Sequence, residues 1–291
     1  MPDDQPQLAA RSAPGQERLQ MRWVICVLVA LGCAAPASAQ GIDILRGSVP
    51  VGSPLYPNWS GFYVGGQWGY SDGNADFSNS TQAPIAYVLR ETALEVTSAP
   101  SGWPVLGVAD HGGTSYGGYV GYNTQWQGLV LGMEGNFTHT TFSLMAPSSP
   151  IARSAVPDGS GNYYTVFINA TGTVTDLNYG SLRARAGWIL GNFLPYGFIG
   201  GVLGVANINV NATAQGTCDS GSTVNCNPFA FFASSGRNSA LLYGASFGGG
   251  TDYLVTQHMF LRGEFEYVRF APIFDVPVSV ISATIGGGFK F

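Results

Sequence analysis

From residue 61 onward, apolar and polar residues alternate with a period of two over stretches of about ten positions, the pattern of a β-strand with one face unlike the other. Eight such segments are predicted: 61–72, 115–126, 129–141, 177–190, 194–209, 241–255, 259–270 and 278–291. In the first, Phe62, Val64, Trp68 and Tyr70 share one face, and Tyr63, Gly65, Gln67, Gly69 and Ser71 share the other. In the last, Ile281, Ile285, Phe289 and Phe291 oppose Ser282, Thr284, Gly286, Gly288 and Lys290. The segment 194–209 is apolar on both faces and rests on its position more than on its pattern.

The connections alternate as well. Segments two and three are joined by Gln127-Gly128, four and five by 191–193, and six and seven by 256–258. Most of the other connections are long, at 73–114, 142–176 and 210–240, with a short one at 271–277. Short turns at one end and long loops at the other are the pattern of a transmembrane β-barrel. Weak alternation at 85–97 and 163–175 adds two candidates, which either lengthen hairpins or raise the strand count to ten.

Composition narrows the class. Charged residues make up 10% of the 291 residues, against about 25% in a typical soluble domain, while Gly (41) and aromatics (13%) are abundant. So little basic charge excludes a nucleic-acid binder, and the glycines follow no triplet repeat. Near the start, Arg22 precedes an apolar run from Trp23 to Ala35, followed by Ala37-Ser38-Ala39. This is the form of an export signal, too short for a membrane-spanning helix of about 20 residues. Cleavage is expected between Ala39 and Gln40, with Met21 as the natural start and 1–20 as an upstream extension. Residues 40–57 then form a lead segment, and 58–291 the barrel domain. With no later apolar helix, a membrane location requires a closed barrel, because only closure satisfies every strand's backbone in lipid. A soluble β-sandwich would turn the apolar faces inward instead; the terminal Phe291 and the Trp and Tyr near strand ends favour the barrel.

Three stretches carry a family resemblance: residues 58–70 (NWSGFYVGGQWGY), residues 181–188 (SLRARAGW) leading into 195–202 (PYGFIGGV), and the ending GGGFKF. They resemble alphaproteobacterial outer-membrane immunogenic proteins, also called porin-family surface antigens, whose barrels are OmpA-like. The resemblance implies an eight-stranded antiparallel barrel in the bacterial outer membrane, with short periplasmic turns and long extracellular loops. It also implies a structural and surface-display role and an ending, Phe289 and Phe291, read by the barrel-assembly machinery. Outer-membrane lipid, that machinery and surface or host ligands at the loops are the expected partners of a monomer. A small porin for ions or solutes, and an adhesin or receptor acting through its loops, are the alternative functions.

On the inward faces the pattern gathers Glu134, Arg183, Arg185, Asp252, Arg262, Glu264, Glu266 and Lys290, four acids and four bases. An eight-stranded barrel is only wide enough for its own side chains, so these charges are expected to pair and plug it. Cys218 and Cys226, the two cysteines beyond the signal, sit in a Gly/Ser/Thr/Asn-rich stretch and suit a disulfide-closed loop. Of the three histidines, His111 is expected in a loop, His258 in a turn, and His139 outward near the rim. None shares a pattern with a Ser and a carboxylate, so neither catalytic nor cofactor or metal residues are assigned.

Overall fold

The computed structural model describes residues 57–222 and 226–291; the expected export signal, with its cleavage site at Ala39 and Gln40, and most of the expected lead segment lie outside them. In chain order the elements are β1 (Gly61–Asp76), α1 (Gln82–Leu89), α2 (Ala93–Ser98), β2 (Val108–Trp126), β3 (Leu129–Thr140), β4 (Leu144–Met145) and β5 (Ile151–Pro157). They continue with β6 (Tyr163–Trp188), β7 (Phe193–Cys218), β8 (Phe229–Leu254), β9 (Met259–Phe270) and β10 (Val278–Lys290).

Eight of these strands close into an antiparallel ring. β1 pairs with β2, β2 with β3, and β3 with β6. The order then runs β6-β7-β8-β9-β10, and β10 returns to β1. β4 and β5 attach to the upper part of β6, outside the ring. The ring therefore has eight strands, and the segment 163–175 lengthens one of them. The other candidate, 85–97, is a correction: it forms most of α1 and α2, whose Ile85, Leu89 and Leu94 are buried. His111, expected in a loop, lies within β2.

Strands β6, β7 and β8 are 26 residues each, about 85 Å at about 3.3 Å per residue. A membrane crossing uses about 9–11 residues, so all three rise far beyond it. Much of what reads as the loops 142–176 and 210–240 is this extension.

Polarity inverts along the extension. In the ring, Phe62, Trp68, Tyr116, Leu182, Ile199, Phe247 and Phe265 face outward and are exposed, while Gln67, Asn136, Arg183 and Glu264 face inward and are buried. This rules out the sandwich alternative, since an apolar exterior is stable only against lipid. Above the ring the arrangement is that of a water-soluble protein: Val166, Ile168, Val174, Ile208 and Val210 pack inward with Ile85, Leu89 and Phe142. The outer face there carries polar residues such as Thr171, Asn209 and Asn211, alongside Phe167 and Phe232.

The change of level coincides with two β-bulges. Against Asn207–Val205 of β7, β6 inserts one extra residue between Thr175 and Asn178; against Ala206–Ile208, β8 inserts one between Arg237 and Ala240. Asp176 (φ 56°) and Ser239 (φ 55°) take the left-handed backbone that the bulges need. One extra residue reverses which side chains face inward. Buried positions on β6 are accordingly odd-numbered at Ser181, Arg183 and Arg185, but even-numbered at Val166, Ile168 and Val174.

Candidate functional site: the charged interior of the barrel

The strand alternation that turns apolar residues toward lipid necessarily turns its polar partners inward, at positions dictated by register. Gly132 of β3 lies opposite Arg185 of β6, and Glu134 opposite Arg183. Asp252 of β8 faces Arg262 of β9. Glu264 and Glu266 follow Arg262 at intervals of two, on the same inner face.

Glu134 is the hub. Its carboxylate accepts from the guanidinium groups of Arg183, of Arg185 (3.2 Å) and of Arg262 (2.7 Å), and from the Tyr63 hydroxyl (2.7 Å). Asp252 bridges Arg185 (2.7 Å) and Arg262 (2.8 Å). Arg183 reaches Glu264 (2.7 Å) and Glu266 (3.4 Å), and the Tyr196 hydroxyl donates to Glu264 (2.7 Å). All seven charged side chains are buried. Charges so removed from water are tolerable only with this density of opposite charge and hydrogen bonding.

Aromatic rings complete the packing. The Arg185 guanidinium lies 3.8 Å from the Tyr196 ring centre, that of Arg262 4.0 Å from Tyr119, and that of Arg183 4.2 Å from Phe198. Cation–π contacts of this kind strengthen when desolvated. Tyr196 and Phe198 explain why β7 shows no clean alternation: its inner face here supplies rings, and higher up Ile208 and Val210 line the apolar core. These aromatic partners were not singled out from the sequence; the inward parity of Tyr63, opposite the apolar set of β1, was their only signal.

Lys290 departs from the expected set. It is buried on the inner face of β10, but none of the eight ion pairs in the interior includes it. The described network thus joins four acids to three bases rather than four to four.

The network is enclosed between other layers. On its turn side, Trp59, Tyr63, Tyr119, Val130, Ile189, Leu194, Leu254 and Phe260 form an apolar floor. On its other side, Gln67 bonds Asn136 and Thr138 at 3.2 Å, and Ser71 bonds Ser115 (2.7 Å) and Ser282 (2.8 Å). Beyond these polar rungs lies the apolar core capped by α1.

The histidines stand elsewhere. His139 packs on Tyr116 and bonds Asn178 on the outer face, and His258 lies in the turn before β9, its ring stacked on Phe289. No group of three or more metal-ligating side chains occurs among the described residues. Cys218 and Cys226 form a disulfide at the far end of the β7–β8 hairpin. Phe289 faces outward, and the backbone N–H of Phe291 donates to the Phe62 carbonyl (2.9 Å), fastening the chain end to β1.

A closed antiparallel ring with an apolar exterior, aromatic residues near both rims and a charged interior defines an outer-membrane β-barrel protein. A family model agrees over most of the chain: residues 25–291 match the outer membrane protein beta-barrel domain, and the protein belongs to that family. Its location is the bacterial outer membrane. No curated protein matches the chain. Among solved structures, it is similar to Ail, the attachment invasion locus protein of Yersinia pestis, at 14% identity and a TM-score of 0.32, covering 80% of this chain and 99% of that one. Neisserial surface protein A is similar at 17% identity and 0.34, covering 80% and 98%. The N-terminal β-barrel domain of Pseudomonas aeruginosa OprF is similar at 13% and 0.33, covering 79% and 97%.

Proposed function

We propose that this protein is a closed barrel with a structural role in the outer membrane, presenting the β6–β8 extension at the cell surface. One observation carries the reading: the interior ion-pair network lies between an apolar floor and an apolar upper core. A hydrated ion crossing the barrel would have to break paired charges and also traverse two layers offering few polar groups. Export by the signal at 1–39, insertion through the ending Phe289 and Phe291, and a monomer in lipid belong to the same proposal.

Single-channel conductance of the refolded chain from residue 40, folded by the criterion of heat-modifiable electrophoretic mobility, tests it. Silence or rare small flickers are expected. Large, steady, voltage-tolerant openings would overturn the closed interior and make the protein a small pore. The length of the extension favours a second reading, in which the surface end makes contacts of its own.

A further inference from the structure

β8 has a neighbour on only one side for half of its length. It pairs with β7 from Phe229 to Tyr253, but with β9 only from Gly244 to Leu254. Above the hydrogen bond from the Ala271 N–H to the Tyr243 carbonyl, no described strand continues the sheet beyond β8. Among the described residues, where α1 also packs against β8, the outer edge of β8 from Phe229 to Leu242 therefore has no pairing strand.

The opposite edge of the same extension is guarded. β5 is short, its register is broken by a bulge between Arg153 and Val156, Ala155 has a positive φ of 54°, and the strand ends at Pro157. Bulges, charges and prolines are the usual means of keeping an edge from joining another sheet. Residues 229–236 of β8 (FAFFASSG) contain none of them, and Phe232 is 66% exposed. On β8 the charge of Arg237 and the bulge between Arg237 and Ala240 guard the lower part of the edge, so the available stretch is the tip, residues 229–236.

We infer that this free edge of β8 pairs with the same edge of a second copy of the chain, carried on an opposed membrane. The segment is complementary to itself. In antiparallel register about Phe231, the two Phe231 rings meet each other, flanked on the inner face by Phe229 opposite Ala233 and on the outer face by Ala230 opposite Phe232. Direction selects the opposed membrane. Every β8 in one membrane runs the same way, from its tip at Phe229 down to the turn after Leu254. Two like edges meet antiparallel only if one copy is inverted, as it is on a facing surface. Each contact is short, but many copies on two surfaces act together. The inference builds on the surface-display reading and takes from it only that the tips face outward.

The test uses the full exported chain in two populations of phospholipid vesicles carrying different fluorophores. Outward tips are verified by labelling S234C with a membrane-impermeant thiol reagent. Tethering is expected only when both populations carry protein, and F232K, at an exposed position, should reduce it to the level of empty vesicles while heat-modifiability is unchanged. Mixing A230C vesicles with F232C vesicles should yield disulfide-linked dimers, whereas A230C with S235C should not. Absence of tethering with labelled tips, tethering of protein-bearing to bare vesicles, or full tethering by F232K would each overturn the inference. Failure of impermeant reagent to label S234C on whole cells would instead refute the surface-display reading.

Discussion

Asn207 and Asp176 are joined by a 2.8 Å hydrogen bond, from the Asn207 amide to the Asp176 carboxylate, at the level where the barrel leaves the membrane. The same Asn207 side chain accepts from the Ser239 backbone N–H (2.8 Å) on its other side. One residue of β7 thus ties together the two bulges that flank it. Those bulges invert the facing of β6 and β8, so Asn207 stands where a lipid-facing barrel becomes a water-facing sheet.

Replacing Asn207 with Ala should loosen the extension without opening the ring. Each lost hydrogen bond contributes about 0.5–1.5 kcal/mol. Amide exchange at Ser239 should accelerate by roughly tenfold, while exchange in the lower half of β7 stays unchanged. Equal acceleration in both halves would mean that Asn207 does not act locally.

Removal of a guanidinium from the interior should be far more damaging. In Arg183→Ala, Glu264 loses a 2.7 Å partner, Glu266 loses a 3.4 Å partner, and Glu134 loses one of its three arginines. An uncompensated buried charge costs about 3–5 kcal/mol. Denaturant midpoint and heat-modifiability should both fall clearly; unchanged values would refute the idea that pairing holds the interior shut.

The upper core should behave as that of an ordinary soluble domain. Leu89 of α1 is fully buried among Val, Ile and Phe side chains, and Leu89→Ala should cost about 2–5 kcal/mol of the extension's stability. Limited proteolysis near α1 should become faster, with the membrane ring still intact by electrophoresis.

Acid should weaken the attachment of β5. The Asp219 carboxylate accepts from the Thr165 hydroxyl (2.6 Å) and the Ala155 backbone N–H (2.7 Å), and these bonds hold its pKa below the usual carboxylate value. A lowered folded-state pKa means the contribution is present above the unfolded carboxyl's pKa and lost as pH falls through the folded one. The protection of the Ala155 amide, taken relative to the unstructured-peptide exchange rate at each pH, should therefore fall on acidification, and Asp219→Asn should abolish that fall.

The closing turns and the eight membrane segments were legible because lipid imposes a strict rule on every strand. Each residue of β1 must face either hydrocarbon or the interior, and Phe62, Val64, Trp68 and Tyr70 record that choice directly. The extension was not legible for the same reason. Above Asp176 and Ser239 the solvent changes from lipid to water and the facing slips by one residue, so the alternation across the full strands cancels. Residues 85–97 misled in a related way: a short helix burying Ile85, Leu89 and Leu94 shows too few turns to separate its period from that of a strand.

By itself, then, the sequence determined an antiparallel barrel with apolar residues outside and eight charged side chains inside, because period-two alternation is a property of neighbours along the chain. Only the tertiary structure decided which charges meet. Glu134 draws in three arginines and Tyr63, while Lys290 stays apart, because pairing across a barrel depends on register and height among strands distant in sequence. The tertiary structure also decided that β8 keeps an open edge, since an edge exists only where a neighbouring strand ends.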